Sequence, residues 1–278
     1  MNAPLAPPQL LPRVRADLRL VFARAGARTE AARVYETGGW RFGFPRSPGA
    51  CEAVILNTGG GMAGGDRAKI EIEAAPGADA LVTSQSQEKI YRADGAGATI
   101  ETRLSVAAGA RLVFAPQETL LFDGARLERR LEADVDETAT LTIFEAVAFG
   151  RLAHGETRID ASLSDRWRIR RGGRLVFAEA LKIENAGAML DRPAVGGGAR
   201  ALATLLRVGP GAEERREALR AAFAAVEAEA GPRFEAGASV VDGVLVARLA
   251  SPSPQRLREG LFAAWSALEG RDAPRVWS

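Results

Sequence analysis

The chain has 278 residues, of which 47% are apolar, and a formal net charge of +2; its single cysteine and single histidine are Cys51 and His154. One thiol and one imidazole exclude an intrachain disulfide and argue against a tight site of soft metal ligands, while arginine supplies 34 of the 37 basic residues, which favours carboxylate pairing over nucleic-acid binding. No apolar run reaches the roughly 18 residues of a membrane-spanning helix and the first residues lack the apolar core of a signal peptide, so we expect a cytoplasmic protein without a membrane segment.

Alternating apolar and polar residues predict half-buried β-strands through most of the first 185 residues. Ile70 and Ile72 alternate with charged residues, and the stretch after Ile100 repeats the pattern. Arginine-rich runs such as 126–130 and 166–174 also alternate with apolar residues, and we interpret them as solvated strand faces.

Three segments of similar sequence suggest that these strands repeat. When 72–92, 105–125 and 133–151 are aligned, three leucines fall in register: Leu81, Leu112 and Leu141. Their spacing of roughly 30 residues is in the range of stacked β-coils, although a plain β-meander fits equally well. If the coils stack, three equivalent positions should gather along one side: Gln85, Pro116 and Glu145.

Helical spacing appears only near the C-terminus, in 213–230 and 254–269. Ser253 precedes Pro254 and is predicted to cap the second helix. One face of that helix is apolar, which is more typical of core packing than of a partner surface. The face consists of Leu257, Leu261, Phe262, Trp265 and Leu268.

Two glycine-containing pairs, Gly172-Gly173 and Asp242-Gly243, predict two-residue hairpin turns with positive φ angles. Together these elements predict a mainly β protein with β-helical or solenoid-like stacked strands and two helices near the C-terminus. We expect a single domain over 1–278, divided into flexible residues 1–12, a β-rich part over 13–200 and a helix–hairpin–helix part over 201–278 packed on it.

The segment from Asn57 to Asp66 is rich in glycine and joins a hydrophobic strand to an alternating one. A phosphate-binding loop should instead lead into a helix and carry a Lys-Ser or Lys-Thr pair. We therefore interpret the segment as a multi-turn β-connection in which glycines adopt positive φ angles.

This segment resembles the glycine-rich GG-x-x-GGD signature of the UreD family, also called UreH, through Gly60, Gly64 and Gly65. Three further segments match that family in the same order, so the resemblance covers about residues 57–185. The segment 83–92 is similar to a family stretch through Lys89, Tyr91 and Arg92. The segment 116–125 matches a PQE-containing block through Pro116, Gln117, Glu118 and Phe122, and the segment 145–156 matches another through Gly150, Arg151, Gly155 and Glu156.

The resemblance implies a cytoplasmic, non-catalytic scaffold that is needed for nickel insertion into apo-urease. It implies binding to apo-urease on one side and to the accessory protein UreF on the other. The nickel-carrying GTPase UreG would join through UreF, and a dimer would form through this accessory complex. No tightly bound cofactor is implied, only nickel in transit.

Nickel in transit needs weak, exchangeable oxygen ligands, because a tight site would trap the ion. Alternation places Glu145 and Glu179 on the apolar faces of their strands, where an arginine partner is the default expectation. Our sharper hypothesis is a water-filled passage lined by Asp66, Thr83, Ser84, Glu145 and Glu179. Glu118 is expected to order its own loop instead.

Two rival interpretations stay open at this point. In the first, Asp66, Glu118 and Glu145 act as paired carboxylates of a hydrolase built on a β-solenoid, although no sugar-stacking tryptophans accompany them. In the second, the chain is a β-structured interaction module unrelated to nickel.

Overall fold

A computed structural model describes residues 13–46, 50–156 and 159–277. The expectation of a flexible segment over 1–12 lies outside the described residues. Two large β-sheets face each other across an apolar core, and the two longer helices pack on the outer face of the second sheet. Among the described residues, no helix is both long and apolar enough to cross a membrane.

Sheet A contains β1 (Arg15–Ala25), β2 (Arg28–Glu36), β5 (Arg67–Ala74), β8 (Ala98–Val106), β11 (Arg126–Val135), β13 (Ser162–Arg171) and β14 (Arg174–Ile183). Sheet B contains β3 (Trp40–Gly43), β4 (Cys51–Asn57), β6 (Asp79–Ser84), β9 (Arg111–Ala115), β12 (Thr140–Phe149), β15 (Ala201–Val208), β16 (Glu235–Val241) and β17 (Val244–Ser251). Of two short strands, β10 (Thr119–Leu121) pairs with the end of β12 and β7 (Glu88–Ile90) pairs with β10. The helices are α1 (Ala186–Leu190), α2 (Ala212–Ala228) and α3 (Pro254–Glu269).

The strands between β4 and β13 form a stack of coils. Apart from β7 and β10, successive strands alternate between sheet B and sheet A, and each pairs in parallel with the equivalent strand of the next coil. The solenoid-like prediction is therefore confirmed, and the plain meander is not what forms. Apolar side chains from both sheets fill the interior, because alternation turns every second residue inward.

The predicted register of the three leucines is correct for one pair and wrong for the other. Between β9 and β12, Leu112 is paired with Leu141, as predicted. Between β6 and β9, Leu112 is paired with Ala80, and Leu81 is paired with Val113. A shift of one residue moves a side chain to the other face of a sheet. Leu81 accordingly contributes to the core under the helices and not to the interior of the solenoid.

Short turns lead from sheet A to sheet B, over 75–78, 107–110 and 136–139. The return connections from sheet B to sheet A are longer, and they start after β4, β6, β9 and β12. All four motif segments that carry the family resemblance belong to these longer connections or border them. The fold therefore concentrates the motifs along one side of the solenoid.

The C-terminal part continues sheet B, because β15 pairs antiparallel with β12 and the β16–β17 hairpin extends from β15. The predicted helices are confirmed as α2 and α3, while the short α1 was not predicted. The Ser253 hydroxyl caps α3 by accepting a hydrogen bond from the backbone of Arg256. The apolar face of α3 packs on sheet B, as predicted for core packing, with Leu257, Leu261, Trp265 and Leu268 buried and Phe262 partly buried.

Both predicted hairpin turns are present. Gly172 and Gly173 connect β13 to β14, and Asp242 and Gly243 connect β16 to β17; all four residues have positive φ angles. Asp242, at φ 49°, occupies a conformation that aspartate tolerates better than most residues do.

Candidate functional site

The four motif segments lie in adjacent layers. β7 pairs with β10, β10 pairs with β12, and an isolated bridge joins Met62 to Ile90. These pairings align the long connections of successive coils. Residues that are roughly 30 positions apart in the sequence are thereby brought together.

The glycine-rich connection before β5 is held by the buried carboxylate of Asp66. This carboxylate accepts backbone hydrogen bonds from Val14 at 2.8 Å and from Ala63 at 2.7 Å. A Cβ on Gly64 would lie 2.7 Å from the Cβ of Ala93, so glycine is needed for the next layer to approach. Four further motif glycines have positive φ angles: Gly60, Gly65, Gly150 and Gly155.

A surface cluster of Tyr91, Phe122 and Arg151 connects these layers. The Tyr91 hydroxyl donates to the Gly60 carbonyl at 2.9 Å, and the Tyr91 and Phe122 rings meet edge to face with centroids 5.2 Å apart. The Arg151 guanidinium lies 4.6 Å from the centroid of the Phe122 ring and pairs with Glu156. These motif side chains therefore tie the connections to one another.

Arg92 extends the same set of contacts. It pairs with Asp123 in the next layer, and Asp123 also accepts a hydrogen bond from the backbone of Asp160 at 2.8 Å. Lys89 is exposed, whereas Ile90, the next residue of β7, is buried.

Gln117 and Glu118 attach the C-terminal part to this side of the solenoid. The Gln117 side-chain amide donates to the carbonyls of Gln85 and Val276, each at 2.8 Å. The buried Glu118 carboxylate accepts a hydrogen bond from Arg258 of α3 at 3.0 Å. The expectation that Glu118 orders its own loop is wrong, because the carboxylate is neutralised by an arginine of α3.

Thr83 and Ser84 have different surroundings although they are adjacent. The buried Thr83 hydroxyl accepts a hydrogen bond from the Trp277 indole at 3.0 Å. The Ser84 hydroxyl accepts from the backbone of Gln117 at 2.9 Å and donates to the Ser86 carbonyl at 3.0 Å. Alternation turns Thr83 towards the C-terminal part and Ser84 towards the solenoid interior.

A cavity of about 100 Å³ opens among the long connections and extends between the two sheets. Its polar lining near the mouth includes Asn57, Gln85, Ser86, Glu88 and Lys89, and its inner polar lining includes Ser84, Thr102, Arg129 and Glu145. Ile55, Ile70, Ile100 and Phe114 form apolar walls. Gln85, Pro116 and Glu145 all line this cavity and so gather on one side as predicted. Only Pro116 and Glu145 are equivalent, because the pairing of Thr83 with Ala115 puts Ser84, and not Gln85, level with Pro116.

The inner end of the cavity holds a buried group of charges around Arg129. Its guanidinium pairs with Glu145 and, at 2.6 Å, with Asp165 of the adjacent strand. Burial raises the pKa of Glu145 to about 7 in spite of the opposing charge of Arg129. Burial by itself lowers the pKa of Arg129, but Asp165 and Glu145 outweigh burial and raise it overall. Arg129 therefore remains charged, and Glu145 gains a proton more readily than an exposed glutamate does.

Arg129 corrects the interpretation of 126–130 as a solvated face. Alternation places it on the same side of β11 as Leu127 and Leu131, which are buried. The period of two along β11, which puts residue 129 on the same side as the leucines, was the sequence signal that could have identified Arg129 as buried. The default expectation of an arginine partner for Glu145 is thus confirmed.

Glu179 lies on the edge strand β14, where burial is incomplete. It pairs with Arg248 of β17 at 2.9 Å, and its side chain is 20% exposed. Alternation in the sequence also places Leu175 on the face of β14 that carries Glu179, but Leu175 is exposed. The reason is that β14 has a neighbouring strand on one side only, and its pairing with β13 is irregular between Ile169 and Arg170 of β13.

Glu88 was not singled out from the sequence, yet it lines the cavity. Its carboxylate accepts a hydrogen bond from the Asn57 side-chain amide at 2.8 Å. Burial raises the pKa of Glu88 to about 7, against the opposing effects of the Asn57 hydrogen bond and the Lys89 charge. Glu88 lies two positions before the buried Ile90, so a period of two could have indicated that its side chain points inward. A three-residue strand is too short to make this pattern distinct.

The structure brings some of the predicted passage residues together and separates others. Ser84 and Glu145 line the cavity. The other three have different partners: Asp66 contacts backbone N–H groups, Thr83 contacts Trp277, and Glu179 contacts Arg248. Within 13–46, 50–156 and 159–277, no group of three or more His, Cys, Asp or Glu side chains is arranged to hold a metal ion. The cavity lining does include carboxylate, hydroxyl and amide oxygens, from residues such as Glu88, Glu145, Ser84 and Asn57.

Comparison with known proteins gives a consistent result across the chain. The family model of the UreD urease accessory protein matches residues 14–278. A urease accessory protein UreD from Xanthobacter autotrophicus is 46% identical over 262 residues, which cover 94% of this chain and 89% of the relative. The urease accessory protein UreD 1 from Methylobacterium radiotolerans is 45% identical over 290 aligned positions, covering 100% of this chain and 99% of the relative.

Proposed function

Because the chain belongs to the UreD family of urease accessory proteins, we propose that it is a non-catalytic scaffold through which nickel reaches apo-urease. Family membership itself places the protein in urease maturation, since the match extends over almost the whole chain. The route of the metal and the individual partners are the parts that we propose.

The observation that carries the proposal is the oxygen-lined cavity beside the family motifs. Ser84 and Glu145 face its interior, and among the described residues neither a thiol nor an imidazole lines it. Oxygen ligands hold nickel loosely compared with thiolates or clustered imidazoles, which suits an ion that has to move on. We propose that Ser84 and Glu145 meet the ion directly, while Asp66, Thr83 and Glu179 shape the path through their own contacts.

The partners in this proposal are apo-urease, UreF and, through UreF, UreG. The complex assembles in the cytoplasm and contains two copies of the chain. The family resemblance supports these assignments, and the surface cluster of Tyr91, Phe122 and Arg151, in which Phe122 is partly buried, has a composition that is common at protein interfaces.

The rival hydrolase has less support. Asp66 is occupied by two backbone donors, Glu118 by Arg258 and Glu145 by Arg129. A glycosidase needs two carboxyl groups that flank one bond and are available to it. Three acids that each have a separate partner do not resemble such a pair.

Reconstitution of urease tests the proposal. Apo-urease, UreF, UreG, GTP and nickel are incubated with and without the purified chain, and the nickel content and activity of urease are measured. We expect both to depend on the chain. Equal nickel content in its absence would overturn the scaffold proposal, and full transfer by a variant whose cavity is blocked would overturn the passage alone.

The variant with a blocked cavity is Thr102→Trp, which places a large side chain in the interior, where Thr102 is buried against the cavity. Glu101→Trp on the same strand is a matched control, because alternation turns it to the outer face of sheet A. Both variants must first be shown to bind apo-urease and UreF as the wild type does.

A further inference from the structure

We propose that Glu88 forms a cation subsite at the mouth of the cavity, with Asn57 as the residue that positions its carboxylate. The subsite takes a hydrated divalent metal ion before that ion reaches Glu145. This inference rests on the proposed passage and adds a first binding step to it.

The backbone of β7 directs Glu88 inward. Glu88 and Ile90 share one side of the strand, and Ile90 is fully buried, whereas Lys89 between them is exposed. Parallel pairing with β10 fixes this orientation, with Thr119 opposite Glu88. The carboxylate is therefore held in the cavity by the fold and does not swing freely in solvent.

Asn57 fixes the direction of that carboxylate. The Asn57 side-chain oxygen accepts a hydrogen bond from the backbone of Gly59 at 2.9 Å, which leaves its amide hydrogens to face Glu88. Because the oxygen is already used, the amide group presents its nitrogen to Glu88. One carboxylate oxygen of Glu88 is thus anchored, and the other remains available to a ligand.

Glu88 differs from the other interior acids in how its negative charge is balanced. Asp66 has two backbone donors, Glu118 has Arg258, and Glu145 shares Arg129 with Asp165. Among the described residues, the Glu88 carboxylate accepts a side-chain hydrogen bond only from the neutral Asn57 amide and has no ion-pair partner, and the neighbouring Lys89 charge acts on it without forming an ion pair. The ionised form therefore carries a negative charge that a cation in the cavity would balance.

The position of Glu88 gives the order of the steps. Gln85 and Ser86 are exposed at the mouth, Glu88 is partly buried, and Glu145 is buried at the inner end. Arg129 is committed to Glu145 and Asp165, so it does not neutralise Glu88. An entering ion meets Glu88 first.

A single carboxylate among amides, hydroxyls and water selects hard or borderline divalent cations and keeps most of their water shell. Binding should be weak, with a Kd in the micromolar range or above, because one protein charge contributes and most ligands are water. This weakness is compatible with onward transfer to Glu145.

The test is calorimetric titration of Ni²⁺ alone into the full-length purified chain at about pH 8, where the Glu88 carboxyl is ionised. We compare wild type, Glu88→Gln and the matched control Glu128→Gln, which removes an equal charge from the exposed outer face of β11. We expect Glu88→Gln to weaken Ni²⁺ binding about fivefold or more and Glu128→Gln to leave it unchanged. Circular dichroism establishes that both variants are folded.

Equal Ni²⁺ affinity of Glu88→Gln and wild type would overturn the subsite, as would undetectable binding to the wild-type chain at millimolar Ni²⁺. Either result would leave the scaffold intact if the chain is still required for urease to gain nickel, and would leave the passage intact if Thr102→Trp still blocks the transfer. Loss of that requirement would instead overturn the scaffold, whatever the titration shows.

Discussion

Arg129 of β11 and Glu145 of β12 form a buried ion pair that joins the two sheets across the interior of the solenoid. Asp165 of β13 shares the same guanidinium. One cation therefore compensates two buried carboxylates, and several properties of the molecule should depend on it.

We expect Arg129→Met to lower the free energy of unfolding by about 3–5 kcal/mol, because Glu145 and Asp165 lose their shared partner in a buried site. Urea denaturation at neutral pH measures the change. Arg130→Met is the control: this neighbour is exposed on the outer face of β11 and should change stability by less than about 0.5 kcal/mol. A similar, small effect of both substitutions would contradict the assignment.

Glu145→Gln should preserve the fold, because the amide keeps the side-chain shape and Arg129 retains Asp165. It removes the charge that attracts a cation to the inner cavity. We expect the nickel content of reconstituted urease to fall about threefold or more. Glu128→Gln on the outer face serves as control, and normal nickel content with Glu145→Gln would argue against a direct role of this side chain.

Asp66→Ala should destabilise the protein by about 2–4 kcal/mol, since it leaves the backbone N–H groups of Val14 and Ala63 without their acceptor. Thermal or urea unfolding measures the loss. Asp94→Ala removes an exposed aspartate nearby and should have little effect. If the two variants were equally stable, the structural role of Asp66 would have to be abandoned.

Glu88 should make stability depend on pH. Its pKa is about 7 in the folded protein and near 4.5 when exposed, so the folded state holds the proton more tightly. Its stabilising contribution is complete below about pH 4.5 and is lost as the pH rises through 7. Glu88→Gln mimics the protonated form and should be more stable than wild type at about pH 8, by up to roughly 3 kcal/mol, with no difference near pH 4.5.

Melting curves of wild type and Glu88→Gln at several pH values test this expectation. Glu73→Gln, at an exposed position of β5, is a suitable control for the loss of one negative charge. A difference between Glu88→Gln and wild type that stayed constant across the pH range would show that burial does not affect this carboxyl.

Trp277 should contribute strongly to the attachment of the C-terminal part. It is buried, packs against Trp265, Phe144 and Phe262, and donates to Thr83. We expect Trp277→Ala to cost about 3–5 kcal/mol. Trp277→Phe keeps an aromatic ring but removes the hydrogen bond, and should cost about 1–2 kcal/mol.

Urea denaturation of both Trp277 variants, with Trp277→Phe also made in a Thr83→Val background, separates packing from hydrogen bonding. In the double variant, the effect of Trp277→Phe should shrink, since the hydroxyl acceptor has already been removed. An unchanged effect would indicate that the indole hydrogen bond contributes nothing.

The sequence by itself determined the local elements of this protein. Alternation identified the strands, the Gly172-Gly173 and Asp242-Gly243 pairs identified two hairpins, and Ser253 identified the start of α3. The family resemblance was also contained in local motifs. Each of these signals depends on residues a few positions apart, so it can be read without knowledge of the coil stacking.

Only the tertiary structure decided which side chains meet. Glu88 reaches Asn57 across 31 positions, and Thr83 reaches Trp277 across 194. Leu81 was aligned with Leu112, but the structure pairs it with Val113, and this offset of one residue puts the two leucine side chains on opposite faces of the sheet. That register is set by the long connections and by packing between layers, so the composition of the cavity depends on contacts that no single segment of the sequence contains.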